Sequence, residues 1–131
     1  MGTKCNAEGY SDPVPYEAIR AIEREERKRH YRPLVYICSP YAGEVERNTM
    51  KAKEYCRFAV DNGVIPIAPH LLFPQFMEEA TERELAMLMN MVLLGRCREL
   101  WVFGSHISEG MAAEIRRAKQ KHMSIRYFKE E

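Results

Sequence analysis

Four short apolar runs alternate with longer stretches of helical periodicity along this 131-residue chain. The runs predict strands because they are rich in β-branched and aromatic residues; they are Leu34–Cys38, residues 64–68, Glu99–Phe103 and Ser124–Phe128. Helices are predicted between them for residues 44–62, 81–97 and 108–121. Strands that alternate with helices indicate an α/β fold, in which a parallel sheet of four to five strands is covered by helices on both faces.

Local signals set the ends of several elements. Pro66 indicates that the second run is an edge strand, because proline lacks the N–H group that a central strand donates. Thr81 followed by Glu84 has the form of a capping box and predicts that a helix starts at this threonine. Ser108 is suited to be the N-cap of the last helix. For residues 71–77 we predict a loop or a short helical turn that lies over another part of the domain.

The first 32 residues differ in character from the rest of the chain. Residues 1–13 lack periodicity and predict a loose lead-in, whereas residues 15–30 predict a helix with a thin apolar stripe and dense, interleaved charges. We therefore divide the chain into an N-terminal extension with a charged helix, residues 1–32, and an α/β domain, residues 33–131.

Charge and hydropathy narrow the class of protein. Lys and Arg number 20 against 19 acidic residues, so the net charge of +1 gives no reason to expect nucleic acid as a partner. No apolar run reaches the length of a membrane span and the first residues lack a signal-peptide core, so we expect a soluble, cytoplasmic protein without a membrane partner. The cysteines are scattered without metal spacing, which predicts buried reduced thiols and no metal site; they are Cys5, Cys38, Cys56 and Cys97.

The helix predicted for residues 81–97 carries two apolar stripes. One consists of Leu85, Leu88, Met89 and Val92, and the other of Met87, Met91 and Leu94. One stripe can pack on the sheet, and we assign the second, Met87, Met91 and Leu94, to a second subunit. This assignment predicts a homodimer or a higher homo-oligomer.

Three polar loops follow predicted strands and should meet at the carboxyl edge of the sheet, where open α/β folds bind ligands. They are residues 39–43, the pair Pro69 and His70, and residues 105–110. The amides after Ser108, together with the helix dipole, would cradle a phosphate or carboxylate, and Gly110 would let a ligand approach the backbone. Glu114 follows about one and a half turns into the helix.

The same residues have a plainer interpretation. Ser108 and Gly110 are equally suited to do no more than start a helix, since every helix needs its first amides satisfied. From the pattern alone, Glu114 is better explained as a solvated surface residue, and His70 as a satisfied loop residue.

The residues from Ser108 to Glu114, SEGMAAE, are similar to the Ser-x-Gly-x-x-x-Glu signature of nucleoside 2-deoxyribosyltransferases and the related nucleoside 5′-monophosphate N-glycosidases. The loop CSPYAG resembles the first substrate-contacting loop of that family, and the resemblance extends over residues 33–128. The chain looks closer still to an uncharacterised deoxyribosyltransferase-like branch from bacteria and phages. The resemblance implies a flavodoxin-like three-layer sandwich that uses no cofactor.

The resemblance also implies roles for individual residues. Glu114 would attack the anomeric carbon and form a covalent glycosyl intermediate, which water or an incoming base resolves. His70 and Asn90 would complete the catalytic set. The implied substrate-binding residues are Cys38, Ser39, Pro40, Tyr41, Ala42, Gly43, Ser108, Gly110 and Met111.

The chain departs from the family pattern at one position that bears on the chemistry. Family enzymes usually carry an aspartate that assists departure of the base 24 residues before the nucleophile, and Asn90 has that spacing here. An amide orients a base by hydrogen bonds but does not deliver a proton. Glu84 or His70 would have to supply the acid. We also expect no counterpart in this sequence of the C-terminal segment by which the transferases complete a neighbouring site.

These observations favour hydrolysis of the N-glycosidic bond of a (deoxy)nucleoside 5′-monophosphate through a glutamate nucleophile. A module that binds or sequesters a nucleotide without catalysis is the first alternative, and a nucleoside deoxyribosyltransferase is the second. In each case the expected partner is a nucleotide or nucleoside.

Overall fold

The structure is a computed structural model that describes residues 15–29 and 31–129. The chain divides into two compact units, the first ending at Tyr31 and the second beginning at Arg32. In the first unit the described residues form helix α1, Tyr16–Arg29, close to the predicted limits. The predicted lead-in, residues 1–13, lies outside the described residues.

The second unit is built on a parallel sheet of four strands, which confirms the α/β prediction. The strands are β1 (Leu34–Cys38), β2 (Ile65–Ile67), β3 (Glu99–Phe103) and β4 (Ser124–Phe128). Their order is β2-β1-β3-β4, and each neighbouring pair is parallel. The edge position indicated by Pro66 is therefore confirmed. Strand β2 is shorter than predicted because the N–H of Val64 bonds to the carbonyl of Ala59 and so belongs to the preceding helix end.

Helices connect the strands. They are α2 (Val45–Asp61), α3 (Pro69–Leu72), α4 (Glu79–Arg96) and α5 (Glu109–Gln120). A 3₁₀ turn, Phe73–Gln75, follows α3, in agreement with the short helical turn expected within residues 71–77.

Side chains alternate across β1 and divide the core between the two faces of the sheet. Tyr36 and Cys38 pack with residues of α4 and α5, including Leu94 and Met111. Val35 and Ile37 belong to a second buried cluster on the opposite face, which contains Ala59 of α2. Because successive residues of a strand point to opposite faces, one five-residue strand contributes to both cores. This arrangement is the three-layer, flavodoxin-like sandwich that was expected.

The helix start predicted at Thr81 is wrong. Helix α4 begins at Glu79, and its N-cap residue is Glu78. The carboxylate of Glu82 accepts a hydrogen bond from the backbone N–H of Glu78 (2.8 Å), whereas the side chain of Glu78 makes no cap hydrogen bond, so only half of a capping box forms. Glu82 itself has non-helical backbone angles, φ −121° and ψ 21°, and marks a kink after the first turn.

The assignment of Met87, Met91 and Leu94 to a second subunit is also wrong. Leu94 is fully buried, and Met91 packs against the same core cluster, so this stripe faces the sheet of its own chain. The outward-facing residues of α4 belong to the other stripe: Leu85, Leu88 and Val92 are all exposed. The stripe containing Leu94 faces inward because it lies above the apolar side chains of β1 and β3.

Burial was predicted for every cysteine, and it is confirmed for two of the three that the structure describes. Cys38 and Cys97 are buried and Cys56 is half-buried, and all three are free; Cys5 lies outside the described residues. Among the described residues there is no helix both long and apolar enough to cross a membrane.

Candidate functional site

The loops after β1, β2 and β3 meet beside a cavity of about 250 Å³ at the carboxyl edge of the sheet. Ser39 and Tyr41 reach it from the loop after β1, His70 from helix α3, which follows β2, and Ser108 and Gly110 from the N-cap and first turn of α5. Parallel strands explain the convergence, because their carboxyl ends lie at the same edge. The start of α4 and the preceding turns provide the remaining wall, in which Phe73, Pro74, Met77, Ala86 and Met87 are apolar.

Glu114 is a buried carboxylate in the wall of this cavity. Only 9% of the residue is exposed, so its interpretation as a solvated surface residue is wrong. The hydroxyl of Tyr36, on β1, donates a hydrogen bond to Oε2 of Glu114 over 2.6 Å. This distance is typical of an O–H donor bound to an ionised carboxylate.

Burial and hydrogen bonding act in opposite directions on Glu114. Burial raises the pKa of its carboxyl, while hydrogen bonds from Tyr36 and Cys38 lower it; burial has the larger effect, so the pKa lies above its usual value. The pKa of Tyr36 is raised by burial and by the negative charge of Glu114. Tyr36 therefore keeps its proton and remains a donor.

Sequence reasoning missed Tyr36. It lies in the middle of a strand that is otherwise aliphatic apart from its final cysteine, and its ring is 1% exposed. A buried tyrosine hydroxyl requires a partner, which is the signal that would have directed attention to it.

Cys38 is not among the described residues that line the cavity. Its thiol donates to the carbonyl oxygen of Met111 over 3.8 Å, and its pKa is raised by burial and by the charge of Glu114. A thiol with a raised pKa carries little thiolate and is a poor nucleophile at neutral pH. Two further residues of the predicted substrate loop, Pro40 and Gly43, are not among the described lining residues either.

His70 and Ser39 are brought together as a hydrogen-bonded pair. Nε2 of His70 lies 2.9 Å from Oγ of Ser39, and the edge of its ring meets Tyr41 at a centroid distance of 6.5 Å. Burial lowers the pKa of His70 to about 4, so the imidazole is neutral at neutral pH. His70 lies in the cavity wall, but it belongs to helix α3 rather than to a loop, and its contact with Ser39 satisfies one ring nitrogen.

The first loop is held by Asn48, which the sequence did not single out. Its side-chain Nδ2 donates to the carbonyl oxygens of Tyr41 (3.1 Å) and Ala42 (3.2 Å). The first turn of α2 thereby fixes the backbone that presents Tyr41 and Ala42 to the cavity.

The N-cap predicted at Ser108 is confirmed. Its backbone is extended (φ −77°, ψ 172°), and its Oγ accepts a hydrogen bond from the N–H of Met111 over 3.3 Å. Ser108, Gly110 and Met111 all line the cavity, so the amino-terminal turn of α5 faces the space in which a ligand would lie.

Asn90 reaches the cavity from α4 and has an unsatisfied oxygen. Among the described residues its Oδ1 is buried and has no hydrogen-bond partner, while its Nδ2 lies 3.8 Å from the sulfur of Met87. Buried polar atoms without partners are uncommon in folded proteins, so this oxygen needs a donor that the described residues do not supply. Glu84, the other acid considered from the sequence, is exposed and is not among the described lining residues.

No group of three or more potential metal-ligating side chains occurs in residues 15–29 and 31–129. The groups that the cavity offers to a ligand are a buried carboxylate, an amide oxygen, the neutral imidazole and hydroxyl of the His70–Ser39 pair, and the amides at the start of α5.

The fold and the cavity define a flavodoxin-like α/β domain with a buried carboxylate at the carboxyl edge of its sheet. The chain belongs to the family described as "Domain of unknown function (DUF7768)", whose model matches residues 33–128. No curated protein matches the chain.

A solved structure of a 2-deoxyribosyltransferase from Bacillus psychrosaccharolyticus is similar, with a TM-score of 0.57 and 17% sequence identity. The match covers 73% of this chain and 72% of that chain. At this level of identity the likeness establishes a shared fold.

Proposed function

We propose that this domain hydrolyses the N-glycosidic bond of a (deoxy)nucleoside or its 5′-monophosphate, with Glu114 as the nucleophile. The observation that carries the proposal is the position of Glu114, a buried carboxylate in a cavity wall, oriented through Oε2 by the phenol of Tyr36. Carboxylates in such settings act as nucleophiles towards anomeric carbons. The 2-deoxyribosyltransferase with a similar fold, described as a biocatalyst for the synthesis of nucleosides, adds support.

In this mechanism an oxygen of Glu114 bonds to C1′ while the bond from C1′ to the base breaks. Water then attacks C1′ and its hydroxyl stays on the sugar, the electron pair of the C1′–O bond returns to the carboxylate, and the proton of the water balances the negative charge of the released base. Ser108 and the amide of Gly110 would contact the sugar or its 5′ substituent. Tyr41 and Ala42 would contact it from the opposite loop, where Asn48 fixes their backbone.

The test is an assay in which chromatography detects free base released from a panel of nucleosides and nucleoside 5′-monophosphates. We expect Glu114→Gln to abolish release, because the amide keeps the shape of the side chain but is not a nucleophile. The matched control is Glu46→Gln, an exposed glutamate in the first turn of α2 and outside the described cavity lining. Base release that is equal in wild type and Glu114→Gln contradicts the proposal.

A covalent intermediate provides an independent readout. Rapid acid quenching during turnover, followed by intact-protein mass spectrometry, should detect an adduct with the mass of the sugar. Peptide mapping should locate the adduct on Glu114. An adduct on another residue would require a different nucleophile.

A second candidate is a module that binds a nucleoside or nucleotide without cleaving it. Asn90 favours this candidate, because an amide at the cavity wall accepts and donates hydrogen bonds but does not protonate a leaving base. Bound ligand should raise the melting temperature, by an amount equivalent to about 2.7 kcal/mol at a hundredfold excess over Kd. Recovery of the ligand intact would support binding, whereas recovery of free base would support hydrolysis.

Self-association is retained as a proposal with a different surface. Leu85, Leu88 and Val92 form an exposed apolar stripe on α4, and Leu88 is 62% exposed. If this stripe joins two copies, light scattering should show a dimer for wild type and a monomer for Leu88→Lys. A wild-type monomer at high concentration contradicts the proposal.

A further inference from the structure

The lining of the cavity that contains Glu114 carries more acidic than basic side chains, and three of the acidic ones, Glu78, Glu79 and Glu109, are exposed to solvent. Five glutamates line it and only one arginine does so among the described residues; the glutamates are Glu78, Glu79, Glu82, Glu109 and Glu114. The arginine, Arg83, is paired with Glu79 through Nη1 and Oε2 at 3.2 Å. His70 adds no positive charge at neutral pH, since burial lowers its pKa to about 4. The charges of this lining attract a cation and oppose a phosphate dianion.

Two of the described lining residues, Asn90 and His70, were candidates for protonating a departing base. Asn90 is an amide and His70 is neutral, so neither is an effective acid at neutral pH. Glutamate is ordinarily ionised at neutral pH, and Glu114 must itself be ionised to act as a nucleophile. A neutral base that departs without a proton leaves as an anion, and the acidic lining would destabilise this anion.

We infer that the substrate is a nucleoside without a 5′-phosphate whose base is already positively charged, such as an N-alkylated purine or a pyridinium. The inference rests on the proposed glycosidic hydrolysis and specifies its substrate class. The positive charge removes the need for an acid and matches the charge of the cavity. Tyr41 and Phe73 add aromatic rings to the lining, which favour a flat cation. The unpartnered Oδ1 of Asn90 accepts a hydrogen bond from an N–H group of the base.

The chemical step balances without a general acid. An oxygen of Glu114 forms a bond to C1′, and the electron pair of the breaking C1′–N bond moves onto the ring nitrogen and cancels its charge. The base leaves neutral. Water then forms a bond to C1′, the pair of the C1′–O bond returns to Glu114, and a proton of the water passes to solvent. One cation and one water thus give a neutral base, a free sugar and one proton.

The test compares guanosine with 7-methylguanosine, which differ by one methyl group and the positive charge it creates. Base release by the wild-type chain is measured at mildly acidic pH, with Glu114→Gln as the control for spontaneous cleavage. A general acid ordinarily contributes about 10²- to 10⁴-fold, so we expect 7-methylguanosine to be cleaved faster than guanosine by a factor of this size. Equal rates, or faster cleavage of guanosine, overturn the inference while leaving the proposed hydrolysis intact.

Two further substrates examine the other parts of the inference. Nicotinamide riboside carries the charge on a pyridinium, and its cleavage shows whether the site accepts pyridinium bases. If the chain cleaves neither this compound nor 7-methylguanosine, the inference is overturned. The 5′-monophosphate of 7-methylguanosine should be cleaved more slowly than the nucleoside, and faster cleavage contradicts the charge-based reasoning. No base release from any substrate refutes the proposed hydrolysis as well.

The variant Asn90→Asp separates the missing acid from the charge of the cavity. A carboxyl at this position supplies a proton when it is protonated, so the preference for 7-methylguanosine over guanosine should fall about tenfold or more at mildly acidic pH. An equal gain for both substrates contradicts the role given to Asn90. If the variant does not fold, the wild-type comparison of the two nucleosides still tests the inference. In weak buffer, proton release by wild type should match base release one to one for 7-methylguanosine.

Discussion

Replacing Tyr36 with phenylalanine should weaken the fold by an amount that depends on Glu114. The substitution keeps the buried ring and removes the hydroxyl that donates to Oε2 over 2.6 Å. Hydrogen bonds to charged groups contribute about 1.5–3 kcal/mol, and no solvent replaces this one, because Tyr36 is 1% exposed. We therefore expect Tyr36→Phe to lower the free energy of unfolding by about 1.5–3 kcal/mol at neutral pH, measured by urea denaturation.

The same substitution should cost less when Glu114 has no charge. In a Glu114→Gln background the lost bond is between neutral groups, so the loss should fall to about 0.5–1.5 kcal/mol. It should also shrink as the pH falls, because Tyr36 lowers the pKa of Glu114 and this stabilisation is lost once the carboxyl is protonated. Tyr127→Phe is the matched control, since Tyr127 is exposed on β4. An equal loss in both backgrounds would refute the reasoning.

Three other perturbations test the fold around the site, each by urea denaturation. Ser108→Ala should cost about 1 kcal/mol through loss of the N-cap of α5, whereas Ser105→Ala, at an exposed bend, should change little. Leu94→Ala should cost about 2–5 kcal/mol and Leu88→Ala much less, since only Leu94 is buried; similar costs would contradict the orientation of α4. Stability should fall by at most about 1.4 kcal/mol per pH unit as the pH drops from 6.5 towards 4, because the unfolded chain binds the proton that buried His70 excludes. His70→Gln should reduce this slope, and an unchanged slope would show that other titrating groups cause the pH dependence.

Most of the strands could be predicted because their signals are local. Strands β1, β3 and β4 have the predicted limits, since each is a short apolar run that ends where the composition changes. The start of α4 could not be predicted in the same way. Its first turn contains several glutamates, and the choice of which carboxylate caps which N–H depends on the kink at Glu82.

The burial of Glu114 was present in the sequence but was outweighed by the general preference of glutamate for the surface. Position 114 lies three residues after Met111 and four before Ala118, both buried, so helical spacing places it on the same inward face. Its partner Tyr36 is 78 residues away in the chain. Only the pairing of β1 with β3, and the packing of α5 on that sheet, brings the hydroxyl to the carboxylate.

Burial of Glu114 and the acidity of its cavity have a joint consequence for when the nucleophile is available. With the cavity empty, burial outweighs the hydrogen bonds from Tyr36 and Cys38, so the pKa of Glu114 lies above its usual value and its ionised form is less favoured than that of an exposed glutamate. A cation bound beside Glu114 would stabilise the ionised form, because an opposite charge within a few ångströms lowers a carboxyl pKa. A phosphate dianion would have the reverse effect. The charge of the ligand would therefore decide both whether it binds and whether the carboxylate that attacks it is ionised.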